Sequence, residues 1–163
     1  MDDDHPDAGR AEGEPPDDGW PRILISDRRT AALDGEAFDA EALVGVARET
    51  LRRERLVRAE LSLSFVDEAE IAELHQRYLG EPGPTDVLSF PLEDVDEDGA
   101  RIVGDVVIAP AVAARNNPED VAGELRLLVA HGVLHLLGYD HEEDGARTRM
   151  WERQERYSGV RAP

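Results

Sequence analysis

The sequence predicts one α+β domain, a single four-stranded mixed sheet packed with helices, and three observations carry that expectation. Four short segments are apolar or alternate with period two, as strands do, and longer segments between them carry apolar residues at helical spacing. A chain of 163 residues has room for one such core and not for two ordinary ones. No apolar run approaches the roughly eighteen residues of a membrane span, so a soluble protein without membrane partners is expected, with the cytoplasm as default compartment because no secretory signal is visible.

Residues 1–20 are rich in Asp, Glu, Gly and Pro and have almost nothing to bury, so they read as a disordered acidic tail, followed by a domain over 21–158 and a flexible terminus over 159–163. Ile23-Leu24-Ile25 is the first strand. After the turn-like Asp34-Gly35, apolar residues Phe38, Leu43, Val46, Ala47 and Leu51 recur at helical spacing, which predicts a helix over 36–54 with an arginine-rich outer face. Leu61, Leu63 and Phe65 alternate with Glu60, Ser62 and Ser64, the pattern of a strand with one buried face. Asp67 followed by Glu70 resembles a capping box, Ile71, Leu74 and Tyr78 share a stripe, and Gly80 can stop the helix, giving a second helix over 68–79. Val87-Leu88-Ser89-Phe90 is a strand closed by Pro91, and the acidic run from Glu93 to Asp98 is the tip of a hairpin into the β-branched strand over 102–108. Asn117-Pro118-Glu119-Asp120 offers an N-cap, proline at the first helical position and acids in the first turn, so a core helix is expected from there to Gly138. A last helix over 143–157 carries Met150, Trp151 and Tyr157 among alternating Arg and Glu.

Composition removes whole classes of chemistry. Without cysteine there is no disulfide framework, thiolate zinc site, iron–sulfur cluster or thiol nucleophile, and any metal must be held by nitrogen or oxygen. Thirty-seven acids against eighteen arginines, with no lysine, give a net charge of −19. Eight of those acids, against Arg10 alone, lie in residues 2–18, yet the remaining body is also acidic and repels polyanions, which points to basic protein partners.

Three of the five histidines fall within His131–His141. On a helix, residues four apart differ by about 40° around the axis and about 6 Å along it, so His131 and His135 share a face and can hold one ion. Gly138 lets the chain double back and bring His141 as a third ligand. Three imidazoles leave a fourth position open, as in catalytic rather than structural zinc sites. The same spacing occurs in metzincin peptidases, which place a general-base Glu directly after the first His; here that position is Gly132.

The run His131–His141, together with Pro84-Thr85-Asp86-Val87-Leu88-Ser89-Phe90-Pro91 and Gly104-Asp105-Val106-Val107-Ile108, resembles the YbeY family of bacterial rRNA-maturation endoribonucleases, in the family's order and over roughly residues 60–155. The resemblance implies a zincin-like fold with a metal-binding core helix. It implies a zinc-dependent, single-strand-specific endoribonuclease acting in rRNA 3′-end maturation and ribosome quality control, with one Zn2+ on His131, His135 and His141 and with rRNA and the ribosomal particle as partners. One departure is visible: many members follow the equivalent of Tyr78 with an RNA-contacting Arg, and this chain has Leu79. No catalytic side chain is assigned. A zincin-like metallopeptidase and a non-catalytic ribosome-assembly factor with a structural metal are the alternatives, and other divalent transition metals also suit imidazole.

Thr85, Asp86 and Ser89 either shape a substrate groove or cap the strand locally. Asp105 either orients a ligand histidine or takes a turn or edge role. Asp140 and Glu142-Glu143-Asp144 either supply a base or acceptor or complement a helix dipole. Arg48, Arg52, Arg53, Arg55 and Arg58 form either a phosphate-contacting patch or a solvated face paired with Glu49 and Glu54. His75 reads as a boundary residue beside Tyr78.

Overall fold

The computed structural model describes residues 19–30, 38–139 and 144–159, the last stretch with side chains at 150 and 152–159. Residues 1–18 of the predicted tail, the Asp34-Gly35 turn, His141 and the acids at 140, 142 and 143 lie outside the described residues, whereas Trp20, expected in that tail, is buried under Arg22 and Arg58 because its indole gives the segment something to bury. Nine elements follow in order: β1 Arg22–Asp27, α1 Ala40–Arg53, β2 Ala59–Phe65, α2 Glu68–Leu79, β3 Val87–Val95, β4 Arg101–Ile108, α3 Pro110–Asn116, α4 Val121–Leu136 and α5 Asp144–Ser158. The strands form one sheet in the order β1-β2-β4-β3, parallel from β1 to β4 and antiparallel at β3, so the sheet is mixed as expected.

Alternation along the strands divides the core in two. On one face Leu61, Leu63 and Phe65 of β2 and Val106 and Ile108 of β4 meet Leu43, Ala47 and Leu51 of α1 and Leu125, Val129, Val133 and Leu134 of α4. On the other, Leu88 and Val107 pack with Ile71 of α2 and Val112 of α3. Each apolar side chain buried in this way contributes about 1.5–3 kcal/mol. Among the described residues no helix is long and apolar enough to cross a membrane.

Four local expectations need correction. Asp67 does not cap α2 with its side chain; its carboxylate instead accepts from the backbone N–H and hydroxyl of Thr30, tying the exit of β1 to the start of α2. Phe38 precedes α1, which starts behind an Asp39 N-cap, and its ring packs on Phe65. Pro91 does not close β3, which continues to Val95; β3 is the sheet edge, where a missing N–H costs no ladder partner, and its register shifts between Pro91 and Asp94. Residues 117–119 do not open the core helix, because the short α3 ends at Asn116 and Asn117 caps it, leaving Asp120 as the N-cap of α4 with its carboxylate on the Gly123 N–H at 2.9 Å.

Gly132 sets how closely α4 approaches the sheet. A Cβ there would lie 2.6 Å from Val106 Cγ1 and 3.3 Å from Ser89 Oγ, and the Ser89 hydroxyl donates to the Gly132 carbonyl at 3.0 Å. Gly132→Ala is expected to cost about 1–2 kcal/mol in urea unfolding even though alanine gains about 1 kcal/mol over glycine in a helix. Part of the loss should return in a Gly132→Ala, Val106→Ala double variant, and equal stability of Gly132→Ala and the parent would refute the packing argument.

Candidate metal centre

The helix α4 is buried along most of its length, and its C-terminal half carries two imidazoles among apolar residues, His131 half-buried and His135 exposed. Their rings lie parallel, within 6°, with centroids 6.1 Å apart, as the four-residue spacing requires. The helix ends in a Schellman arrangement: the Gly138 N–H donates to the His135 carbonyl and the Tyr139 N–H to the Leu134 carbonyl, with Gly138 at φ +100°. The chain therefore turns sharply two residues before 140. The negative end of the helix dipole falls at His135, a favourable place for a cation.

The Nδ1 atom of His131 is 2.9 Å from the Oε1 atom of Gln154, whose side chain is 3 % exposed in α5. A carbonyl oxygen can only accept, so Nδ1 is the donor in this contact, and in the neutral ring Nε2 is then the acceptor. That is the donor set of a ligand histidine with its outer nitrogen already held, and the pair fits a nitrogen-bound divalent ion. Among the described residues no group of three or more His, Asp or Glu is arranged to hold a metal, and His141 lies outside them.

Beside this pair a second network fixes α5. The Glu54 carboxylate, at the C-cap of α1, accepts from Tyr139 Oη at 2.8 Å, Tyr157 Oη at 2.6 Å and Arg153 Nε at 3.1 Å. Burial first, then the bond to Glu54, pushes both phenols above their ordinary pKa, so they remain donors. Glu54→Ala leaves two phenols and a guanidinium without their acceptor and is expected to cost about 2–3 kcal/mol in thermal unfolding. A variant as stable as the parent would show the network to be dispensable. Sequence reading missed Gln154 and gave Glu54 the wrong partners, the arginine stripe of its own helix instead of Tyr139, Arg153 and Tyr157. The available signal was a polar residue at 154 in the helical stripe Met150, Gln154, Tyr157.

The other candidates scatter. Ser89 touches α4 at Gly132, next to His131, whereas the Asp86 carboxylate accepts from Asn116 Nδ2 at 3.2 Å and Thr85 lies half-exposed before β3. Burial, then the charge of Asp86, raises the pKa of Glu124 on α4. Asp105 takes neither expected role: β4 is an interior strand, and Asp105 sits opposite Ser62 and Phe90 on the sheet face away from α4. It lines a groove of about 570 Å³ with Arg28, Ser62, Ser64, Tyr78 and Phe90. Within that groove Arg28 is paired with Glu70 at 2.7 Å. His75 is satisfied locally, its Nδ1 2.9 Å from the Gly83 carbonyl. Tyr78 and Leu79 are each 58 % exposed, and Arg77 pairs with Glu73.

The arginine stripe is largely committed to the chain itself. Arg48 Nε donates to the Pro21 carbonyl at 3.1 Å and Arg52 Nη2 to the Trp20 carbonyl at 2.8 Å, while Arg22 and Arg58 lie 4.1 and 4.2 Å from the Trp20 ring. Only Arg53 follows the expected pairing, with Glu49 at 2.6 Å.

A mixed sheet packed with helices, its central helix carrying two parallel imidazoles, defines a small α+β protein. The family model described as Endoribonuclease YbeY matches residues 28–159. The chain belongs to the YbeY family. It is 46 % identical over 134 residues to a protein named Endoribonuclease YbeY from Acidothermus cellulolyticus, covering 74 % of this chain and 82 % of that one. A protein of the same name from Streptomyces coelicolor is 41 % identical over 130 residues, covering 72 % and 79 %. The solution structure of TM1509 from Thermotoga maritima superposes with a TM-score of 0.54 at 31 % identity, over 83 % of this chain and 86 % of that one.

Proposed function

We propose that this chain is a zinc-dependent endoribonuclease of the cytoplasm that cuts single-stranded RNA, with rRNA 3′-end maturation and ribosome quality control as its setting and rRNA and the ribosomal particle as its partners. The metal half of this reading is supported by the imidazole pair His131 and His135, with Nδ1 of His131 engaged by Gln154. The RNA half is supported by kinship with proteins named endoribonuclease. His131, His135 and His141 hold the ion. When bound, a divalent ion supplies Lewis acidity and a water of lowered pKa.

The rest is done by the chain. Ser89 and Gly132 hold α4 at close range to the sheet, so the imidazoles sit on a rigid element. Thr85 and Asp86, in the segment leading into β3, border the approach of the substrate. Gly132 faces Val106 across the packed interface, so the position that carries a general-base Glu in metzincins has no room for one here, which weighs against a peptidase. Because the body is acidic, docking on the ribosomal particle uses basic ribosomal proteins together with local arginines.

The test is elemental analysis of the purified chain and of His135→Ala, beside cleavage of single-stranded and duplex RNA. The expected result is one zinc per chain, reduced in the variant, and single-strand cleavage that a chelator removes and added zinc restores. Metal-free protein that cuts equally well would defeat the zinc half; zinc-loaded protein that leaves RNA intact would defeat the RNA half.

A further inference from the structure

We propose that Gln154 is a positioning residue for metal binding: its buried carboxamide oxygen fixes His131 in the tautomer and ring orientation that offer Nε2 to the ion. The inference rests on the metal reading above and extends it to a residue on another helix. The observation is the 2.9 Å separation between Gln154 Oε1 and His131 Nδ1, with Gln154 only 3 % exposed.

A neutral imidazole exchanges its proton between two nitrogens, and only one of the two forms presents Nε2 as a donor. In water neither form is imposed. Against the Gln154 oxygen, the form with its proton on Nδ1 gains a hydrogen bond, and the other form sets two lone pairs against each other at 2.9 Å. Gln154 is held in the core beside Met150 and Tyr157 on the buried stripe of α5, and Tyr157 is anchored on Glu54. The ligand nitrogen is thus set by packing between α4 and α5 before any ion arrives. Carboxamide rather than carboxylate leaves the net charge of the site to the ion and its histidines.

The experiment combines two readouts on the parent, Gln154→Leu and Gln154→Glu. Nitrogen-15 spectra of the metal-free proteins report the tautomer of His131, and competition with a chromophoric chelator reports zinc affinity. The parent is expected to hold the proton on Nδ1. Gln154→Leu, which removes the acceptor at similar size, should lose that preference and bind zinc about 10–100-fold more weakly. Gln154→Glu restores the acceptor and should recover both readouts, which simple loss of packing would not allow. An unchanged tautomer and unchanged zinc affinity in Gln154→Leu would overturn this inference while the parent's zinc binding leaves the metal reading standing. A parent that binds no zinc would overturn both.

Discussion

His135→Ala is expected to lower cleavage of single-stranded RNA by about 10³-fold or more while changing thermal stability by no more than about 0.5 kcal/mol. The loss follows from removing one of the nitrogen donors that hold the proposed ion, since Lewis-acid stabilisation is worth several kcal/mol and each 1.36 kcal/mol is tenfold in rate. The small stability change follows from exposure, because the His135 side chain lies on the open end of α4. His131→Ala should be equally inactive but less stable, by about 1–3 kcal/mol, because it strands the buried Gln154 carbonyl. The pair of variants separates chemistry from folding better than either alone. If His135→Ala lost stability in proportion to activity, the metal would be bracing the fold, and the non-catalytic alternative would take over.

Gly104→Ala is expected to destabilise the chain by about 3 kcal/mol or more, a fall of very roughly 6–12 °C in Tm. Gly104 stands at φ +146°, where L side chains are strained, and the β2–β4 register slips by one residue just before it. An added Cβ would collide with the Phe90 carbonyl and lie 3.0 Å from Pro91 Cα and from Leu136 Cδ2. Two of these three are backbone, which cannot rotate away, so the β3–β4 pairing would have to open. The third lies on the residue following His135, so the strain reaches the imidazole pair, and zinc affinity should drop along with stability. Thermal melts and chelator competition on the same sample check both, and a Tm equal to the parent's would refute the account.

What could be read from sequence was whatever local chemistry decides. Helix α2 was bounded correctly because Gly80 at φ +70° ends it without help from the rest of the fold. The imidazole pair was legible because helical spacing alone puts His131 and His135 on one face. The start of α4 was misplaced because Asn117 and Asp120 are both competent caps, and the choice between them was made by α3, a seven-residue helix with too short a pattern to detect. Pro91 misled because its tolerance depends on β3 lying at the edge, which is a property of strand order. The roles of Gln154 and Glu54 were invisible for the same reason: each is acquired only when α5 docks against α4 and α1. For Asp105 the sequence offered ligand support or a turn or edge role, and it decided neither because it does not say which face of β4 the residue occupies.

The clasp on Trp20 and Pro21 bears on how an acidic protein meets a polyanion. Two guanidinium groups are spent on backbone carbonyls and two more lie against one indole, so this cationic ridge is masked by the chain's own leading residues. Trimming the protein back to residue 22 rather than to residue 19 would unmask that ridge at nearly constant charge, and heparin retention of the shorter form should exceed that of the longer for a reason unrelated to the imidazole end of α4.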